Sequence, residues 1–159
     1  MGAQQNSPHD VDLKPVASGY VPRDDAGLTV AIVRNVVIAF YAKVRQDPVL
    51  GPVFEAIVGD HWDTHIEKVC SFWLYVTRLD RTYNARDFMP AHIKHPTIQA
   101  ELLPTWLRLF RQTAQELYAG ATADALIDIA ERMATSIEMS LAVRDGKPSP
   151  PTDRPPSRR

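Results

Sequence analysis

From Leu28 to Arg144 the chain repeats one pattern, apolar residues three and four positions apart, with no sustained alternation of period two. Its 7 glycines in 159 residues are too few to punctuate a series of short strands. That combination predicts an all-α domain. Val30, Val33, Val37, Phe40, Tyr41 and Val44 form the stripe of a first helix, with Thr29 as N-cap. This helix should end near Gln46, because Asp47 precedes Pro48 and is steered away from helical geometry. Residues 50–54 read as a tight corner closing on an aromatic side chain. A second helix is expected over 60–79 with Asp60 as N-cap, then a polar loop over 80–86. A short helix over 87–94 takes Pro90 in its first turn and is ended by Pro96. The next opens around 99–103 and runs to Tyr118, with Gly120 just beyond it and Leu103, Trp106, Leu107, Phe110 and Leu117 as its stripe. The last spans about 122–144, with Leu126, Ile129, Ala130, Met133, Ile137 and Leu141 inward. Four long helices and a short one result.

The ends depart from this pattern. Residues 1–26 are polar and interrupted by Pro8, Pro15 and Pro22, which predicts a flexible extension. Residues 146–159 form a proline-rich tail with basic ends and polyproline character, read as a solvated tail. The folded domain is therefore expected over 27–145. A net charge of −1 offers no basic excess for nucleic acid, and no apolar run approaches a membrane span. The start of the chain lacks the basic and apolar regions of a signal peptide, which predicts a cytoplasmic protein.

Two histidines carry the chemistry. His65, Val69, Phe72 and Trp73 fall at i, i+4, i+7 and i+8, on one helical face. His92 lies beyond a loop on the short, proline-bounded helix. Two imidazoles, an apolar slot and no cluster of acidic ligands suit haem iron better than zinc or a two-metal site. The competing reading is plain: a lone helical histidine is more often a satisfied polar residue, and an aromatic stripe is more often core. Tyr41 points inward beside Phe40, so its hydroxyl either bonds a backbone carbonyl or donates to a bound ligand. The Trp106 indole can donate but not accept. The single cysteine, Cys70, excludes an internal disulfide, a zinc knuckle and covalent c-type haem attachment, and is read as a packed thiol turned away from the His65 face. His61 is read as the exposed start of its helix.

Several runs together resemble the group III truncated haemoglobins. They are Phe40-Tyr41-Ala42-Lys43-Val44-Arg45-Gln46-Asp47 with Leu50-Gly51-Pro52-Val53-Phe54, Trp62-x-x-His65 with Phe72-Trp73, Tyr83-Asn84 leading to His92, and Trp106-Leu107-x-Leu109-Phe110. The likeness covers roughly 28–144. It implies a shortened two-over-two globin fold holding haem b (iron protoporphyrin IX), with His92 as the axial ligand to iron. It implies a distal side built from Tyr41, His65 and Trp106, and apolar walls from Phe54, Val69, Phe72 and Trp73. The loop from Tyr83 to His92 is about one residue longer than the family pattern, which leaves His95 as a second axial candidate, made poorer by the adjoining Pro96.

The function so implied is binding of dioxygen or other small gaseous ligands at a five-coordinate iron. The alternative is a haem redox enzyme, a nitric oxide dioxygenase or peroxidase-like, with His65 as acid–base group and an external reductase as electron donor. Two further readings stand beside these. One has His65 itself binding iron in a six-coordinate resting state, and the other is a helical scaffold without haem that engages a partner through its tail.

Overall fold

A computed structural model describes residues 27–148; the expected N-terminal extension, 1–26, and residues 149–159 of the tail lie outside the described residues. The described chain is all helical, with α1 Val30–Gln46, α2 Leu50–Val58, α3 Trp62–Val76, α4 Phe88–Ile93, α5 Leu103–Leu117 and α6 Gly120–Arg144. Single 3₁₀ turns, Ala85–Asp87 and Ala100–Leu102, precede α4 and α5. Two helix pairs, α1 with α3 and α5 with α6, join where α1 packs on α5, while α4 rests on α6. This is the two-over-two arrangement of a truncated globin. None of the described helices is long and apolar enough to cross a membrane.

Helix α1 starts and stops as expected. Thr29 is extended and its hydroxyl accepts from the Ile32 amide at 3.2 Å. At the other end Asp47 leaves helical geometry ahead of Pro48, with ψ 131. The Asp47 carboxylate then accepts from the amides of Val49 at 2.9 Å and Leu50 at 2.8 Å. These bonds satisfy donors at the start of α2, so the expected corner over 50–54 is instead the first turn of a helix. Gly51 is needed there: a Cβ on it would lie 2.9 Å from the Arg45 carbonyl oxygen.

Other boundaries shift for local reasons. Helix α3 begins at Trp62 rather than Asp60, because Gly59 turns the chain at φ 56 and His61 takes the N-cap position. It ends at Val76 rather than Leu79: the Thr77 hydroxyl donates to the carbonyls of Trp73 and Leu74, and Arg78 adopts φ 62. Gly120 does not close α5, which ends as Tyr118 becomes extended; it opens α6 with φ 57.

The core runs through Val33, Val36, Val37, Phe40 and Val44 of α1, Leu109 and Phe110 of α5, and Leu126, Ala130 and Met133 of α6. Val30, assigned above to the α1 stripe, is 46% exposed, and Val36 takes its place inside. On α5 the buried face is Leu109, Phe110, Thr113 and Ala114. Leu107 packs half-buried against the core as expected and also borders an open groove between α5 and α6, which Leu103 lines with it. Cys70 is fully buried.

Because the atom facing Gly51 is backbone, relief requires α1 and α2 to part. Gly51→Ala should lower stability by about 1–3 kcal/mol, read from urea unfolding monitored by tryptophan fluorescence. An unchanged midpoint would mean that the α1–α2 junction is looser than this contact.

Candidate functional site

Three rings from three helices surround His65. Tyr41 of α1 meets it edge-on at 5.4 Å, Phe54 of α2 at 6.3 Å and Trp62, one turn earlier on α3, at 5.8 Å. Tyr41 and Phe54 also touch one another at 5.8 Å. Trp62 is fixed from outside: its indole N–H donates to Glu55 at 3.0 Å, and the Arg45 guanidinium lies over its ring at 4.5 Å. Within this cage His65 Nε2 is buried and has no hydrogen-bond partner among the described residues. An orphaned polar atom of this kind costs about 1–3 kcal/mol, a cost that a bound guest would relieve.

Burial, then the charge of His92, then that of Lys68, pushes the His65 ring down from 6.5 to about 4. The ring is therefore neutral near pH 7, and the two histidines lie close enough for the charge of one to act on the other. Tyr41 is 6% exposed; burial first, and the Cys70 thiol second, raise its phenol above the ordinary range, so it stays protonated and able to donate.

His92 is oriented by its own helix. Its Nδ1 lies 2.7 Å from the Phe88 carbonyl, one turn back on α4. A carbonyl can only accept, so Nδ1 carries the proton and Nε2 keeps its lone pair. A carbonyl accepting from the far ring nitrogen in this way holds a metal-binding imidazole in one tautomer and orientation. The His92 ring sits 4.6 Å from the Phe88 ring, and Phe88 in turn stacks on Phe72 of α3 at 4.0 Å. Burial lowers the pKa of His92, partly offset by the Phe88 bond. His95 stands beyond the end of α4, with its carbonyl accepting from the Ile98 amide and from Arg144.

The remaining predicted residues divide between two neighbourhoods. Trp106 is half-buried, edge-on to Phe40 at 5.4 Å and stacked on Phe110 at 5.9 Å. Trp73, expected as a wall, stacks on the other partner of that set, Phe110, at 5.0 Å, and is nearly fully buried. Val69 is half-buried on α3 between His65 and Phe72. Sequence reasoning assigned no role to Phe88 or to Trp62. The signals were present as spacing: Phe88 precedes His92 by four residues and Trp62 precedes His65 by three, both on shared helical faces. Among the described residues no group of three or more His, Cys, Asp or Glu side chains could hold a metal ion.

Comparison with known proteins agrees with the fold. No protein-family model matches the chain. It is 28% identical over 105 residues, 64% of its own length and 82% of the other, to the group 3 truncated hemoglobin ctb of Campylobacter jejuni subsp. jejuni. Among solved structures, the group III truncated hemoglobin from Campylobacter jejuni superposes with a TM-score of 0.64 at 25% identity, over 69% of this chain and 88% of that one. The fold is that of a truncated globin. The resemblance to the group III members holds in both sequence and structure.

The depressed pKa of His65 has a measurable consequence. The unfolded chain takes up a proton on this residue near pH 6.5 and the folded chain only near 4, so folding stability falls as pH drops through that window. His92 adds in the same sense. His65→Leu should flatten the dependence of the urea midpoint on pH between 6.5 and 4. A dependence as steep as that of the parent chain would show that the fold does not hold His65 neutral.

Proposed function

We propose that this chain binds haem b, with His92 as the axial ligand, and holds dioxygen or another small gaseous ligand against Tyr41, His65 and Trp106. The observation that carries the reading is a pair of imidazole nitrogens: His65 Nε2, buried with no partner among the described residues, and His92 Nε2, left with its lone pair by the Nδ1 bond to Phe88. Iron, when bound, supplies an open coordination position for a diatomic guest. Everything else falls to the protein. Phe54, Val69, Phe72 and Trp73 provide apolar surroundings that keep water out and strengthen each polar contact within.

A guest that carries partial negative charge is favoured by fixed donors over a neutral one. Tyr41 can only donate while protonated, and burial keeps it so. The Trp106 indole donates at any pH. His65, neutral near pH 7, places an uncharged ring nitrogen near Tyr41. If each hydrogen bond to a charged guest is worth about 1.5–3 kcal/mol, two slow its release by roughly two to four orders of magnitude. Such a protein retains its ligand and is ill suited to shuttling oxygen.

The same site supports a second reading, a haem redox enzyme acting on nitric oxide or peroxide with an external reductase. The observation in its favour is again His65, whose unpartnered nitrogen is free to take or give a proton at the guest. Steady turnover with a cellular reductase would select it.

The reading is tested by adding haem to the purified chain, reducing it and measuring oxygen dissociation. A Soret band at one haem per chain is expected. Tyr41→Phe and Trp106→Phe should each speed oxygen release by roughly tenfold or more. Off-rates unchanged in both variants would remove these residues from the ligand site.

A further inference from the structure

Helix α4 is lightly supported. None of its 6 residues is fully buried, and Asp87 at its N-cap makes no side-chain capping bond. A helix of this length does not hold itself together in water. On one side it is held by the stack of Phe88 on Phe72. On the other it is held by α6, through Arg144.

Arg144 is the last residue of α6, and its guanidinium faces two ways. Its Nε and Nη2 donate to the two oxygens of Asp145 at 2.7 and 3.1 Å. Its Nη1 donates to the carbonyl of His95 at 3.1 Å and to that of Ile93 at 3.4 Å. The planar fork is therefore set by the carboxylate, and the free edge is aimed at the chain leaving α4. The Ile93 carbonyl, at the end of the helix, lacks an intrahelical partner and carries partial negative charge, which a cation satisfies; that of His95, just beyond, is shared with the Ile98 amide. Ile93 directly follows His92, so the clamp closes one residue from the imidazole. The Arg144 side chain is only 17% exposed, so the contact is not a loose surface pair.

We propose that Arg144, oriented by Asp145, is a positioning residue that clamps the C-terminal end of α4 and thereby sets where the His92 ring lies. The proposal rests on the reading of His92 as the axial ligand. It assigns to α6 a role in ligation that none of its side chains performs directly.

The test uses Arg144→Met, which keeps the stem and removes the donors, Arg144→Lys, which keeps the charge and loses the fork, and Asp145→Asn. Hydrogen exchange is followed on the full chain without haem, and haem release to excess apomyoglobin on the loaded chain. In Arg144→Met the amides of 91–95 should exchange roughly tenfold faster while those of α1 and α5 are unchanged. Haem release should rise roughly tenfold or more, with Arg144→Lys and Asp145→Asn falling between this variant and the parent. Unchanged exchange over 91–95, or equal acceleration in every helix, would overturn the clamp. If the parent chain takes up no haem, the functional reading falls and the exchange experiment alone decides whether Arg144 holds α4.

Discussion

Phe110 is fully buried, and rings from three helices meet on it: Phe40 of α1 at 5.3 Å, Trp73 of α3 at 5.0 Å and Trp106 of α5 itself at 5.9 Å. Edge-on and offset-stacked pairs of this kind contribute about 0.5–1.5 kcal/mol each beyond the area they bury. The larger consequence is geometric. Because α1, α3 and α5 are locked to one ring, the residues just along each helix are fixed relative to one another. Tyr41 follows Phe40, and His65 lies two turns before Trp73. The position of the polar groups is thus inherited from an apolar junction that does no chemistry.

Against that rigid frame the α4 side is light. It is a short helix joined to the frame by a ring stack on α3 and an arginine on α6, and it carries the better-oriented of the two histidines. Under the proposed function, this lightly held element is the one that would present His92 to the haem. The orphaned nitrogen on the frame, and the lone pair on the held element, are polar capacity that the protein leaves unspent on itself.

Much of the fold could be read from the sequence because the causes are local. Thr29 as N-cap, the Asp47-Pro48 stop and Pro90 in the first turn of α4 each depend on neighbouring residues only. Helix α2 was missed because Gly51 and Pro52 look like punctuation. In fact Pro52 falls in a first turn, and Gly51 answers a close approach by the Arg45 carbonyl that only the folded chain reveals. The early end of α3 turns on a single hydroxyl, that of Thr77, reaching back to two carbonyls. For the site, spacing put His65 on an aromatic face but could not supply the rings of Tyr41 and Phe54 around it, which come from other helices. The grip of Arg144 on His95 spans 49 residues and leaves no mark in any periodic pattern.

On the proposed function, haem iron takes His92, and not His95, as its protein ligand. The most direct measurement is the absorption spectrum of the haem-loaded chain beside His92→Gly and His95→Gly, each with and without added imidazole. His95→Gly should keep a parent-like ferrous spectrum, and His92→Gly should show a changed spectrum that imidazole restores. A parent-like spectrum for His92→Gly, with the loss and the rescue appearing in His95→Gly, would contradict it.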